Sequence, residues 1–239
     1  MADLSRKERR KRFTWVYVQE DLMMNIWQST LSFFLNGGPW MYPILFAFAI
    51  GVAIAIERYV TLTLIKNKNA SMWAKLQPAL MQGEFDKARE MASNDKSTIS
   101  QLLSMGLARQ GAVRRREDVE IAMEESMMEI IPQLEKRTPY VALSSNCATL
   151  LGLLGTIVGL IQAFTAVANA NPAEKADLLS ASISVAMNTT AFGLVVAIPL
   201  LVTHTILTAK TGEIVDSLEM ASVRVLNVIA TAAKRQVQA

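Results

Sequence analysis

Residues 180–209, SASISVAMNTTAFGLVVAIPLLVTHTILTA, contain no Asp, Glu, Lys or Arg. A charge-free apolar run of more than about 18 residues is long enough, as a helix, to cross the hydrocarbon of a bilayer. Water is absent there, so the backbone must satisfy its own hydrogen bonds, which an α-helix does within one segment. The run is not uniformly oily, since Ser182, Ser184, Asn188, Thr189, Thr190, Thr203 and His204 interrupt it. Polar groups in lipid are costly unless they pair or face a cavity. A helix of this kind is expected to line something polar inside an oligomer.

The rest of the chain repeats the pattern. Charged residues make up only 19% of it and hydrophobic residues 51%, against roughly a quarter charged in soluble domains. The apolar residues gather in three blocks with the charges between them. The expected fold is therefore all-α: a polytopic membrane protein with three long transmembrane helices, over 39–65, 138–168 and 178–209, the second and third extending into the cytoplasm. Ahead of them, residues 1–38 read as a basic tail followed by an amphipathic helix lying in the interface, because Glu20 and Asp21 would be expensive inside a bilayer. Residues 66–137 read as a cytoplasmic helical region, 169–177 as a periplasmic hairpin and 210–239 as a cytoplasmic C-terminal helix. Glu57 and Arg58, near the inner end of the first span, read as side chains snorkelling to the headgroups.

Orientation follows from Lys and Arg, which crowd 66–137 and the tail after Lys210 and leave the hairpin only Lys175. The positive-inside rule places the long loop and tail in the cytoplasm. Three crossings then put the basic N-terminus outside, a conflict that a fourth span near 15–35 would remove.

The same residues narrow the function. Cys147 stands alone, so no disulfide framework exists, and His204 has no carboxylate or Cys at ligand spacing. With no activated nucleophile and no phosphate-cradling loop either, the chain reads as a non-enzyme without cofactor. Its net charge of +3 suits loops facing an anionic leaflet and requires no nucleic acid. In the second span Ser145, Thr149, Gly152, Thr156 and Gly159 fall on one helical stripe, and small residues there allow close helix approach. Both later spans thus offer hydroxyls and amides but no carboxylate, whereas an ion path through lipid generally needs a titrating group or a coordinating cage. Either no path exists, or hydroxyls alone carry it, or a second protein brings the acid.

Gly152-Leu-Leu-Gly155-Thr156-Ile-Val-Gly159 resembles the second-span signature of the MotA/TolQ/ExbB proton-channel family, and the segment from Thr189-Thr190-Ala191-Phe192-Gly193 to Ile198-Pro199 resembles its third-span signature. The likeness covers most of 39–215. The three spans and the chain length resemble ExbB- and TolQ-type subunits more than the four-span MotA type. The resemblance implies a pentamer in the bacterial inner membrane around two copies of a single-span partner of the ExbD, TolR or MotB type, whose helix carries an Asp. It implies that Thr156 and Thr190, with Thr189 beside them, form an ion pathway near that Asp, and that Gly152, Gly155, Gly159 and Gly193 permit close packing. It implies work delivered to TonB- or Tol-type outer-membrane transport. A stator for gliding or flagellar-type motility is the alternative, and a non-conducting scaffold is the reading from another class. The sequence departs from many ExbB-type proteins at Val185, where they carry Glu, which leaves H⁺ against Na⁺ open.

Overall fold

The structure is a computed structural model and describes residues 28, 32–34, 37–110, 116–168 and 170–238. The basic tail and almost all of the interfacial helix expected over 14–35 lie outside the described residues. The long helices among those described are α1 (Met41–Met81), α2 (Phe85–Ser93), α3 (Thr98–Gln110), α4 (Arg116–Glu135), α5 (Thr138–Ala168) and α6 (Lys175–Gln238). Among the described residues, three helical runs are long and apolar enough to cross a membrane: Met41–Met81, Glu117–Ala168 and Lys175–Ala232. The protein is thus an all-α, multi-pass membrane protein. Each spanning helix continues well beyond the roughly 20 residues that a bilayer requires. The chain divides into two units, 1–49 with 144–198 and 50–143 with 199–239.

In the first unit, α5 lies against α6 through very small residues. A Cβ placed on Gly152 would stand 3.2 Å from the Cα of Gly193, and one on Gly193 only 2.8 Å from the Ala148 carbonyl oxygen. Ala148, Ala163 and Ala186 are fully buried along this seam. Large apolar side chains such as Phe46, Leu150, Ile161, Phe164 and Val195 point outward and are exposed. That is the inverse of a water-soluble domain, and it fits a surface solvated by lipid or by other copies. The chain enters α1 through a turn in which Gly38 takes φ +75°, a value that glycine reaches without a Cβ penalty. Phe34 packs edge-on against both Tyr42 and Phe192, ring centroids 5.5 and 5.7 Å apart.

The second unit is built from large side chains. Leu62, Leu76, Leu102, Leu103, Met123, Leu207, Ile214 and Leu218 are buried to within 2%. The helix breaks fall at Gly83, with φ +81°, and at Asn94. Helix α3 starts with a full N-cap: Ser97 Oγ accepts the Ser100 N–H (3.4 Å) and bonds to Ser100 Oγ (2.9 Å). Asp95 accepts both the Ser97 N–H and the Ser100 hydroxyl at 2.9 Å, so orphan donors of the first turn are satisfied. These bonds, led by Ser97, hold the Asp95 carboxyl below the usual carboxylate range.

One expectation changes here. Arg58 does not snorkel: it is 4% exposed and donates to the Leu134 carbonyl, while Glu57 pairs with Arg137 at 3.4 Å. Leu134 lies in the last turn of α4, where unpaired carbonyls and the helix dipole favour a cation. The apolar residues of α4 fall on two faces. Met123 and Met127 face the core, whereas Ile121 and Met128 are 53% and 74% exposed. Their spacing of one to seven residues spans two helix faces, and the core selects only the face that continues Val119, Ile130 and Leu134.

Candidate ion-pathway site

The site lies wholly within the first unit, between uncharged stretches of α5 and α6, where the glycines bring two backbones together. Because Gly152 has no side chain, Thr190 Cα comes within 3.4 Å of where its Cβ would stand. One turn further along α5, the Thr156 hydroxyl donates back to the Gly152 carbonyl at 3.1 Å, the usual i−4 bond of a helical Thr. Across the seam the Thr190 hydroxyl reaches the same carbonyl at 2.9 Å. The two hydroxyls also contact each other directly. Both threonines are half-buried.

Counting protons shows what this cluster can do. Two hydroxyls have two protons and four lone pairs. If one proton goes to the Gly152 carbonyl and the other joins the two oxygens, none is left over. The pair then presents only lone pairs, the state suited to a cation or to the O–H of a protonated carboxyl. Rotating the hydroxyl that donates to the Gly152 carbonyl away from it frees a donor for a carboxylate, at a net cost on the order of 1 kcal/mol. An uncharged site can therefore answer both a protonated and an ionised partner without titrating itself.

The other singled-out residues sit around this pair. A Cβ on Gly155 would run into the Thr189 side chain and stand 3.3 Å from Trp40 Cβ, and one on Gly159 would stand 2.8 Å from Ala186 Cβ. All four glycines thus make their close contacts within this chain. Thr189 is not brought to the pair. It is 1% exposed, and its hydroxyl lies within bonding distance of the Gly37 carbonyl at 2.7 Å and the Val185 carbonyl at 3.0 Å, tying α6 to the turn ahead of α1. Val185 borders that same turn, 3.2 Å from a Cβ placed on Gly38. Asn188 is half-buried and Asn146 exposed.

Sequence reasoning missed two participants. One is the shared acceptor, the backbone oxygen of Gly152, whose only signal was its place four residues before Thr156. The other is the Ala197 carbonyl, which accepts from buried Ser145 at 2.7 Å and clamps the seam, so that the stripe's Ser145 was named from the sequence but its partner was not. Among the described residues no group of three or more His, Cys, Asp or Glu could hold a metal ion.

Residues 94–220, a little over half of the chain, match the MotA/TolQ/ExbB proton channel family. An ExbB homolog of Methanothermobacter thermautotrophicus, named for biopolymer transport, is 26% identical over 202 residues, covering 84% of this chain and 70% of the relative. The Tol-Pal system protein TolQ of Haemophilus influenzae is 32% identical over 93 residues, 39% of this chain and 40% of the relative. With its three spanning helices and the matched segment covering both threonines, the chain belongs to the MotA/TolQ/ExbB proton channel family as an ExbB/TolQ-like subunit of the inner membrane.

Proposed function

We propose that this subunit conducts ions past the Thr156–Thr190 pair and couples the proton or sodium motive force to work done by a second, single-span protein of the ExbD or TolR type. The observation that carries the reading is the pair itself. Two hydroxyls share one backbone carbonyl at the seam of two helices whose spans, 138–168 and 178–209, contain no ionisable carboxylate. Such a site accommodates an acid in either protonation state and supplies none. The titrating Asp then comes from the partner helix, held inside a ring of copies of this chain. Residues 66–137 and 210–239 face the cytoplasm and 169–177 the periplasm, in keeping with where Lys and Arg lie. The names of the relatives, one for biopolymer transport and one for the Tol-Pal system, favour transport or Tol-type work over motility. Nothing in the site resembles an enzyme's nucleophile–base pair.

The test is to purify the protein from its native membranes and identify what comes with it. The expected result is a single-span chain bearing one intramembrane Asp, with ion flux in liposomes only when that chain is present. Flux from this protein alone would refute the coupling. Tight co-assembly with no flux under any gradient would favour a scaffold instead.

A further inference from the structure

Helix α6 has grooves of opposite chemistry on two sides. Against α1 runs a continuous groove lined by Asn69, Trp73, Ser217, Met220 and Arg224 and continuing to Met81 and Asn227. Against α4 runs a second groove, lined by Glu124, Met127, Met128, Glu219 and Val223 among others. At 3.6 residues per turn, positions 213, 217, 220, 221 and 224 point to one side of α6, and 219, 222, 223 and 226 to roughly the other.

The first groove has donors to spare. Arg224 is exposed and has no ion pair among the described residues, and Asn69, only 4% exposed, has its Nδ2 without a partner while its Oδ1 accepts the Ile99 N–H. Lys66, at the same groove, is already neutralised by Glu213 at 2.5 Å. The second groove has acceptors to spare. From Glu117 to Glu135, α4 carries acidic residues and no Lys or Arg, and Glu124 and Glu219 line the same groove as Met128, which is 74% exposed. Flexible methionines suit a surface that must mould to another helix.

We infer that these grooves are the two halves of one contact between neighbouring copies of this chain: Arg224 on one copy is received by Glu124 and Glu219 on the next, with Met128 and Met220 as the apolar filling. A membrane holds every copy with the same side up, so copies are related by rotation about the bilayer normal. In any ring larger than a dimer the contact is then head-to-tail and requires two different, complementary faces. One helix carrying both, at nearly the same height, meets that requirement. Arg224 and Glu219 are five residues apart, about 7.5 Å along the axis. The inference rests on the multi-pass membrane reading and not on ion conduction, and it is read out by assembly alone.

The test uses the full-length chain in membranes with Cys147 replaced by Ala. Glu124→Cys with Arg224→Cys in one chain, treated with a short bis-maleimide, is expected to give a ladder of dimers, trimers and higher species, and each single variant only monomer. No ladder from the double variant, or a ladder from either single variant, overturns the contact. In parallel, Arg224→Glu is expected to lower the assembled fraction on detergent dilution by roughly tenfold or more, since like charges are then juxtaposed. Adding Glu124→Lys and Glu219→Lys to that chain is expected to restore it, and failure to restore it counts against the pairing. A photoreactive group at Met128 that labels only a different polypeptide would assign the acidic groove to another protein and overturn the proposal.

Discussion

The α5–α6 seam of the first unit and the Leu- and Met-rich core of the second solve the same packing problem with opposite materials. At the seam, backbone meets backbone: Gly152 opposes Gly193, and Ser145 bonds to a carbonyl. In the second unit bulky side chains fill the space, and even a glycine, Gly106, faces the flexible end of Met123. The difference follows from the solvent. The seam lies wholly within the spans, whereas most of the second unit's large buried residues (Leu76, Leu102, Leu103, Met123, Ile214 and Leu218, though not Leu62 and Leu207) lie outside them. Where lipid surrounds the helices, burying leucine gains little, and contact depends on close approach and hydrogen bonds. Where water surrounds them, removing apolar area from it is the main gain. The close approach has a functional consequence. Only with backbones this near can one carbonyl serve hydroxyls from two helices.

The comparison predicts that one substitution has opposite outcomes in the two regions, and this is the largest effect expected. Gly193→Ala places a methyl group 2.8 Å from a backbone oxygen that cannot move alone. It should cost about 1–3 kcal/mol as overpacking, seen as a lower thermal midpoint of the purified complex and loss of ion-coupled activity. For Gly106→Ala the three nearest atoms all belong to the Met123 side chain, whose Sδ and Cε can swing away. Its gain in helix propensity, about 1 kcal/mol, should offset the rearrangement and leave the midpoint nearly unchanged. Equal destabilisation by both would erase the distinction between the regions.

A smaller effect concerns pH and belongs to the second unit alone. Folding lowers the Asp95 carboxyl below its ordinary value, so its contribution is present above the ordinary carboxylate range and is lost as pH falls through the lowered value. Hydrogen exchange at the start of α3 should therefore rise on acidification below the ordinary range. Asp95→Asn should remove that pH dependence, while the α5–α6 seam, which has no ionisable carboxylate, should show none. Asp95 is largely solvent-exposed, so the change should be local.

Much of this was legible in the chain because lipid imposes a coarse rule. A stretch such as 180–209 without charge has few structures open to it, and Gly152, Gly155 and Gly159 at helical spacing mark a close approach before any partner is known. The resemblance singled out Thr156 and Thr190, which the structure brings together. What stayed hidden depended on direction and on distant contacts. Thr189 and Thr190 are neighbours in sequence but 100° apart on the helix, and only the fold shows that one faces Thr156 and the other the turn at Gly37. Arg58 could have reached the headgroups; only the placement of α4 offers it the Leu134 carbonyl. Helical spacing also does not tell which apolar face of α4 is covered, and the structure covers Met123 and Met127 while leaving Ile121 and Met128 exposed.

The most direct measurement of the central claim is ion flux through the reconstituted complex after the hydroxyls are removed without changing shape. Thr156→Val and Thr190→Val should each lower flux roughly tenfold or more, the scale of one lost hydrogen bond to a charged group. The oligomer should keep its mass, and Thr156→Ser and Thr190→Ser should conduct. A double valine variant that assembles normally and conducts like the unmodified protein would contradict the account.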